Sequence, residues 1–520
     1  MIKIFFKILF FFLKLTKEYE LFEDILYLKQ TFCEYWKDLK RHFNCYIDTD
    51  DESLLDSELI DVVISYIDIN DKDLKRDLPK LEKDIENGEI KYNTRSILKY
   101  IPWINKIYIL MPNKKVKYFK NPEEINEKIK YIKDKDLLGF DSRSSIVFEF
   151  NFWRLKKFGV TTNFLYFNDD YFIGNYLKKS DFFYQLRDEN GTVVPYLTGL
   201  NILNSNKTEI EEETNKSLEI ISNREKLIQD AFEYNTQSNL TKLFIYQLFG
   251  DSAKIKTTHH NANPDNLINN EEIYNVVKKY YHHPDACINT LNREKFSLTY
   301  YIMHINYMLN KYNRRFKEMN SKFFDILDTP QQYDLFVINK SGAKEYREED
   351  FGKSLIYLNF MFPKPTKYEK INRIDGIYFI ETVLNENKII KFKYNEIKNK
   401  NYLLLNKRTK NNSELFKIEY QNDGSYTIKS LSSNYFIGVT DDIKLINNEK
   451  SISLGFYSNV DGKKQKWYFL TNKQPFYYIT SAYEICALDV PWGKANDNSK
   501  IRCYSPNGTK SQMFLLNLYK

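Results

Sequence analysis

Cysteine is scarce in this sequence, and its placement argues against several kinds of site. Only five cysteines occur among 520 residues, and none forms a Cys-x-x-Cys pair. Zinc ribbons and thioredoxin-like redox sites are therefore not expected. The low, odd count is simplest to explain by a reducing compartment. Cys486 and Cys503 could approach each other in the last domain, but the sequence leaves their pairing open.

The sequence also lacks a concentrated basic face. Its net charge is +7, and basic residues alternate with acidic ones along the chain. Nucleic-acid binding proteins instead gather lysine and arginine on one surface. No nucleic acid partner is therefore expected.

A long uninterrupted apolar run is missing as well. The first seventeen residues are rich in Phe, Leu and Ile, but Lys7 and Lys14 interrupt them, and a spanning helix needs about 20 apolar residues. The lysines lie within one narrow arc of a helical wheel, so residues 1–20 are predicted to form a helix lying on the membrane surface. We expect membrane association, at the cytoplasmic face. The alternative is an uncleaved signal anchor in a secretory compartment.

Buried strands alternate with helices over much of the chain. After a helical lead-in over residues 21–59, apolar runs at Ile60–Ile67, Lys106–Leu110 and Phe164–Phe167 are typical of buried strands. This alternation predicts an α/β domain with a parallel sheet over residues 60–370.

Polar side chains follow the third of these strands. Asn168, Asp169 and Asp170 come directly after Phe167. Ligands of parallel α/β sheets gather at the carboxyl ends of the strands, and carboxylate oxygens suit Mg²⁺ or Mn²⁺. Asp169 and Asp170 are therefore the candidate metal ligands.

The last 150 residues contain an internal repeat. The segment Asp375–Ile380 recurs at Asp423–Ile428 and, more loosely, at Gln474–Ile479. Each copy also carries a second strand and closes on an aromatic residue. One such unit cannot bury its apolar face alone, so residues 371–520 are predicted to form a threefold β structure. This part resembles a ricin-type β-trefoil lectin domain.

The α/β part resembles the Stealth family, which includes bacterial capsule polysaccharide phosphotransferases and the lysosomal-enzyme N-acetylglucosamine-1-phosphotransferase. The resemblance spans about residues 60–370 and weakens in its later half. The matching segments occur in the family's order: Ile60–Asp68, Tyr92–Ile97, Pro102–Ile109, Phe140–Ser142, Phe148–Phe150 and Phe164–Phe172.

This resemblance implies an enzyme that transfers a sugar-1-phosphate from a nucleotide sugar to a carbohydrate hydroxyl. The product would be a phosphodiester, in capsule or cell-surface polysaccharide synthesis, and a divalent cation, Mg²⁺ or Mn²⁺, is expected. The implied catalytic residues are Asp61, Glu149, Asp170, His260 and Arg293. Substrate-binding roles are expected for Arg95, Asp141, Asn168 and Asp169.

Each implied catalytic residue suits a chemical task. Asp61 and Asp170 are expected at strand ends that form the ligand crevice, with Glu149 as a further acid there. Arg293 can grip phosphate in a bidentate fork. His260 can accept the acceptor's proton or attack phosphorus itself, and the sequence leaves this choice open.

The third repeat of the trefoil best preserves the ricin-type sugar site. The residues expected to bind sugar are Asp489, Trp492, Asn507 and Gln512. Leu405 and Gly438 replace the aspartate in the first two repeats, so those copies are expected to be inactive.

Two other functions fit the same sequence. A metal-dependent glycosyltransferase with a lectin module would also use an acidic strand end, but it releases the nucleoside diphosphate. A non-catalytic carbohydrate-binding protein is the second alternative. The residues supporting it are Arg293, which lacks the acid usual a few positions later, and Lys340, which replaces an aspartate.

Overall fold

The computed structural model describes two units, Met1–Ser57 and Glu58–Lys520. The first is described only in helix α1, Ser53–Ser57, so the predicted membrane-surface helix and most of the lead-in lie outside the described residues. None of the helices in the described ranges is long and apolar enough to cross a membrane. The described residues are 53–66, 88–111, 118–120, 128–140, 142, 144–186, 192–200, 237–250, 253–255, 263–290, 296–324, 327, 333–338, 348–397, 399–471 and 475–519.

Strands and helices alternate through the first part of the larger unit. The strands are β1 Asp61–Ser65, β2 Ile107–Met111, β3 Ile129–Lys133, β4 Asn163–Asn168, β5 Tyr171–Ile173, β6 Phe183–Gln185, β7 Val193–Pro195, β8 Leu197–Leu200, β9 Asn263–Asn266, β10 Phe316–Met319, β11 Ser321–Phe324 and β12 Leu335–Ile338. The helices are α2 Glu89–Tyr100, α3 Asp134–Leu138, α4 Ser145–Phe150, a 3₁₀-helix Phe152–Phe158, α5 Lys179–Phe182, α6 Gln237–Phe249, α7 Leu267–Tyr280, α8 Asp285–Ile288, α9 Tyr300–Tyr312 and α10 Glu348–Met361.

Five of these strands form the central sheet in the order β3-β2-β1-β4-β9. Strands β1 to β4 run parallel, and β9 is the antiparallel edge strand. All residues of β2 are buried, as are the first four of β1, which agrees with their continuous apolar sequence. The predicted α/β fold with a parallel sheet is confirmed.

The C-terminal part is built entirely from strands and short 3₁₀ turns. The strands are β13 Gly376–Thr382, β14 Lys388–Asn395, β15 Lys400–Lys407, β16 Phe416–Tyr420, β17 Tyr426–Ser430, β18 Phe436–Ile446, β19 Glu449–Tyr457, β20 Lys466–Leu470, β21 Phe476–Ser481, β22 Ala487–Asp489, β23 Ser499–Lys500, β24 Arg502–Tyr504 and β25 Met513–Leu518.

Strand pairing identifies this part as a β-trefoil. The first and last strands of the three repeats pair in a closed ring, β13-β16-β17-β20-β21-β25 and back to β13. The inner strands pair as β14–β15, β18–β19 and β22–β24. The predicted aromatic closures, Phe416, Trp467 and Phe514, are fully buried in one common core. The predicted trefoil is therefore confirmed.

Two cysteines of the third repeat are joined. Cys486 and Cys503 form a disulfide, with their Cα atoms 5.4 Å apart. Cys503 lies on β24, which pairs with β22 immediately after Cys486. The expectation that the cysteines are reduced is therefore wrong for this pair, whereas Cys287 is free and buried.

The trefoil shares a hydrophobic core with the α/β part. Helix α10 lies between the two, and apolar residues from both sides belong to one buried cluster. Its members include Phe172, Phe336, Leu355, Phe362, Tyr478 and Met513. A Cβ on Gly508 would come within 1.8 Å of the Glu349 carbonyl oxygen. The chain backbones of the two parts are therefore in direct contact.

A buried ion pair ties the same region together. The Arg95 guanidinium donates to both carboxylate oxygens of Glu369, at 2.9 and 2.7 Å, and to the Phe362 carbonyl at 2.7 Å. Only 8% of the Arg95 side chain and 3% of that of Glu369 are exposed. Helix α2 is thereby fixed to the segment that leads into the trefoil.

We expect Glu369→Ala to lower the free energy of unfolding by about 3–5 kcal/mol, because it leaves the Arg95 charge buried without its partner. Thermal and urea denaturation of the purified protein would measure this loss. Glu419→Ala is the matched control, since the Lys417–Glu419 pair is nearly half exposed and such pairs contribute little. Equal stability of the two variants would contradict the structural role of the buried pair.

Candidate functional site

The candidate site lies at the carboxyl end of β4. Asn168 ends this strand, and its Oδ1 accepts hydrogen bonds of 2.9 Å from Ser65 Oγ and from the Tyr166 hydroxyl. Asn93 of helix α2 donates to the Asn168 carbonyl at 3.0 Å. Ser65 ends the neighbouring parallel strand β1. Two strand ends and helix α2 therefore fix the backbone from which the acidic turn continues.

Three predicted acids gather around this strand end. Burial raises the pKa of the Tyr166 hydroxyl well above its usual value, and the negative charge of Glu149 raises it further. The charges of Asp169 and Asp170 act in the same direction, so both acids lie close enough to affect this phenol. Glu149, Asp169 and Asp170 thus lie near the same phenol, and their expected catalytic, substrate-binding and metal-binding roles remain predictions.

The negative charges near Tyr166 also affect the hydroxyl of Tyr171. Burial raises the pKa of Tyr171 well above its usual value, followed in effect by the charges of Asp170, Tyr166 and Glu149. Both tyrosines consequently stay protonated at neutral pH and can donate hydrogen bonds. A region with several carboxylates and two neutral phenols favours the binding of a cation.

The acidic turn offers suitable donors for a divalent cation. Asp169 and Asp170 form the turn between β4 and β5 and are partly exposed, whereas Glu149 is 4% exposed. Among the described residues, no three His, Cys, Asp or Glu side chains form a set that could hold a metal. Mg²⁺ usually needs only one or two carboxylates, because water and substrate phosphates complete its shell. The two aspartates fit that mode of binding.

Asp61 does not lie at the site where the sequence placed it. It is the first residue of β1, at the amino end of the strand, and is fully buried. Its carboxylate accepts hydrogen bonds from the Lys106 and Thr161 backbone N–H groups, at 3.0 and 2.9 Å, and from Asn105 Nδ2 at 2.8 Å. It therefore joins the loops that enter β2 and β4. The expectation that Asp61 lies in the ligand crevice is wrong, because parallel strands place the crevice at the opposite edge.

Arg95 also has a different role from the one expected. Its guanidinium is committed to Glu369 and to the carbonyl groups of Phe362 and Pro363. The side chain is buried and contacts the segment that leads into the trefoil. Arg95 is therefore a structural residue, and its expected substrate-binding role is wrong.

Three predicted residues lie outside the described ranges: Asp141, His260 and Arg293. Their expected roles remain predictions. The described neighbour of His260 is Asn263, the first residue of β9, which pairs with Tyr166 near the carboxyl end of β4.

A buried polar cluster that the sequence did not reveal lies next to the candidate site. Asp265 lies 3.2 Å from His304 Nε2, and it accepts hydrogen bonds from Asn270 and from the Tyr300 hydroxyl at 3.0 and 3.3 Å. The pKa of Tyr300 is raised well above its usual value by burial, then by Asp265, and also by the charge of Glu149. The cluster is therefore electrostatically linked to the acidic site. No motif joins residues 39 positions apart, so only the fold could bring Asp265 and His304 together.

The trefoil carries a separate cavity at its third repeat. It has a volume of about 660 Å³, and its lining includes Asp489, Trp492, Arg502, Asn507 and, from helix α10, Glu349. The Trp492 side chain is 69% exposed. Its φ is 61°, the left-handed region that costs a bulky residue roughly 1–3 kcal/mol. An exposed aromatic held in a strained conformation is typical of a binding surface.

Two of the four residues predicted to bind sugar instead form hydrogen bonds within the protein. Gln512 is fully buried, and its Oε1 accepts hydrogen bonds from the Asn507 and Gly508 N–H groups. It therefore shapes the cavity loop, and its expected sugar contact is wrong. Asp489 is 1% exposed, and its carboxylate accepts hydrogen bonds from Arg502 Nε at 2.8 Å and from Ser511 Oγ at 3.0 Å. Its oxygens are committed within the protein, so it positions Arg502 instead of receiving sugar hydroxyls.

A protein-family comparison matches the part of the chain that builds the site. Residues 83–190 match the model of the Stealth protein CR2, conserved region 2. This stretch includes helix α2, strands β2 to β6 and the acidic turn. This part of the chain is therefore similar to conserved region 2 of the Stealth proteins.

Curated proteins that are similar to part of this chain are named capsular polysaccharide phosphotransferases. The Haemophilus influenzae protein fcs1 is 28% identical over 217 residues, which are 38% of this chain and 56% of that protein. Streptococcus pneumoniae WcwK is 32% identical over 143 residues, 24% of this chain and 41% of that protein. This chain thus spans about half of the length of the curated relatives it matches.

Two solved lectin structures are similar to part of this chain. The Macrolepiota procera ricin B-like lectin is 12% identical with a TM-score of 0.24, covering 29% of this chain and 100% of the lectin. The Polyporus squamosus lectin is 14% identical with a TM-score of 0.24, covering 28% of this chain and 50% of that chain. The trefoil assignment itself rests on the closed strand pairing.

We expect Asp61→Ala to lower the free energy of unfolding by about 3 kcal/mol, because buried N–H donors lose their acceptor. Chemical denaturation would measure the change. Asp461→Ala, on an exposed trefoil loop, is the control and should leave stability unchanged. An Asp61→Ala protein of native stability without activity would return Asp61 to the functional site.

Proposed function

We propose that this chain transfers a sugar-1-phosphate from a nucleotide sugar to a hydroxyl group of a carbohydrate acceptor. The acceptor oxygen bonds to the sugar-bearing phosphorus, the nucleoside monophosphate leaves, and a phosphodiester remains. The acceptor hydroxyl loses its proton in this step. The proposal places the reaction in capsule or cell-surface polysaccharide synthesis.

The observation that carries the proposal is the acidic strand end within residues 83–190, which match Stealth conserved region 2. The charges of Glu149, Asp169 and Asp170 all raise the pKa of the Tyr166 phenol near the carboxyl end of β4. Relatives that are similar to part of this chain are named capsular polysaccharide phosphotransferases. An acidic site at this edge suits a reaction in which a cation must accompany a diphosphate.

The residues have distinct proposed tasks. Asp169 and Asp170 would hold Mg²⁺ or Mn²⁺, which supplies positive charge opposite the phosphate oxygens. Glu149, which is buried, would contribute to the negative potential that favours the cation. By the family resemblance, His260 serves as base or nucleophile and Arg293 grips phosphate.

We expect Asp170→Asn to reduce transfer at least 100-fold while the protein stays folded, because the change removes a charge with almost no change in shape. Nucleotide-sugar panels with a carbohydrate acceptor would be assayed for nucleoside monophosphate release. Asp136→Asn, at an exposed site in helix α3, is the matched control. Undiminished transfer by Asp170→Asn would remove this residue from the site.

The identity of the released nucleotide decides between the two transferase chemistries. Nucleoside monophosphate indicates sugar-1-phosphate transfer. Nucleoside diphosphate with a glycosidic product would instead establish the glycosyltransferase alternative. Absence of both products across the panel would favour a non-catalytic carbohydrate-binding protein.

We also propose that residues 1–20 attach the protein to a membrane surface. Deleting residues 2–17 should release the protein into the soluble fraction while leaving transfer intact. High salt should release only part of the full-length protein, because screening weakens the lysine contacts but not burial of Phe and Leu. Membrane fractionation would measure both. Retention of the intact protein after alkaline carbonate extraction would instead indicate a spanning anchor.

A further inference from the structure

The third-repeat cavity is lined by a cation, Arg502, next to the position where a neutral sugar site would present a carboxylate. Asp489 Oδ2 accepts a hydrogen bond from Arg502 Nε at 2.8 Å, and Asp489 Oδ1 accepts one from Ser511. This carboxylate is 1% exposed. The vicinal hydroxyl groups of a neutral sugar therefore have no free carboxylate oxygen to bind there.

Arg502 is held in place on three sides. Its guanidinium carbon lies 3.9 Å from the centroid of the Tyr504 ring and 5.8 Å from that of Trp492, and its Nε is bonded to Asp489. Within the described part of the chain, neither of its terminal nitrogens has a hydrogen-bond partner. A fixed guanidinium with free N–H donors is suited to bind a carboxylate or phosphate group.

The other cavity residues fit the remainder of a sugar ring. The exposed Trp492 indole offers an apolar face on which the C–H face of a pyranose can stack. Lys510 adds a second cation, and Asn507 and Glu349 also line the cavity. One wall belongs to helix α10, so the cavity is formed by the trefoil and the α/β part together.

We propose that this cavity binds an anionic sugar, a hexose carrying a phosphate or a carboxylate group, with Arg502 as the residue that recognises the charge. Trp492 stacks on the ring, and Asp489 acts as a positioning residue for Arg502. A polymer with phosphodiester linkages, the product class of the proposed reaction, contains such groups. Binding itself requires no transfer chemistry.

Calorimetric titration of the full-length protein tests this proposal. The probes are glucose, glucose 6-phosphate and glucuronate, together with galactose, galactose 6-phosphate and galacturonate. At least one anionic sugar should bind about tenfold more tightly than its neutral parent, and added salt should reduce that advantage. The phosphate and carboxylate probes identify which anionic group is preferred. Absence of binding, or equal affinity for neutral and anionic members of both series, would overturn the proposal.

Variants assign the preference to Arg502. Arg502→Gln should reduce affinity for the anionic sugar to within about twofold of the neutral parent, whereas Trp492→Ala should weaken both. Arg408→Gln is the matched control, because Arg408 stacks on Phe379 in the first repeat, outside this cavity. An unchanged preference in Arg502→Gln would contradict the assignment.

The double variant Asp489→Asn/Arg502→Gln covers the case in which the single change unfolds the protein. It removes both members of the buried pair and should melt close to the wild type while lacking the anionic preference. Because no nucleotide sugar is present in these titrations, failure of the binding proposal and failure of the transfer proposal are separable.

Discussion

The hydrophobic core shared by the α/β part and the trefoil is the constraint on which the rest of the structure depends. Phe172 of β5 stacks on Phe336 of β12 with ring centroids 5.1 Å apart, and Phe362 lies 6.2 Å from Phe172. Tyr478 and Met513 of the trefoil belong to the same buried cluster. Separating the two parts would expose this apolar surface to water, at a cost of about 25 cal/mol per Å². The trefoil is therefore an integral part of the larger unit.

This core also connects the two candidate sites. Phe172 follows the acidic turn by two residues, and helix α10, whose Leu355 packs in the cluster, supplies Glu349 to the trefoil cavity. The Arg95–Glu369 ion pair fixes helix α2 against the same region, while Asn93 of that helix holds the Asn168 carbonyl. One set of contacts thus positions the end of β4, helix α2 and the trefoil loop, which favours a fixed distance between the acidic turn and the trefoil cavity.

The aspartates of this protein differ in what their carboxylates are available to bind. Asp61 and Asp489 have their oxygens committed to protein donors, so they hold loops and a guanidinium in place. Asp169 and Asp170 lie on a partly exposed turn beyond a strand end, where ligand access is possible. The difference arises from position in the fold: the amino end of β1 meets backbone N–H groups of neighbouring loops, whereas the carboxyl end of β4 opens outward.

Both folds could be predicted from the sequence, because strand–helix alternation and a threefold repeat are local patterns. The acidic turn after β4 could be predicted as well, since its position follows from strand order along the chain. The roles of Asp61 and Arg95 could not, because their partners are far away in the sequence. The role of Gln512 follows from its burial beneath the loop that its side chain holds. The Asp265–His304 cluster and the Cys486–Cys503 disulfide likewise depend on which segments pack together. Burial and hydrogen-bond partners are properties of that packing, and local sequence patterns do not encode them residue by residue.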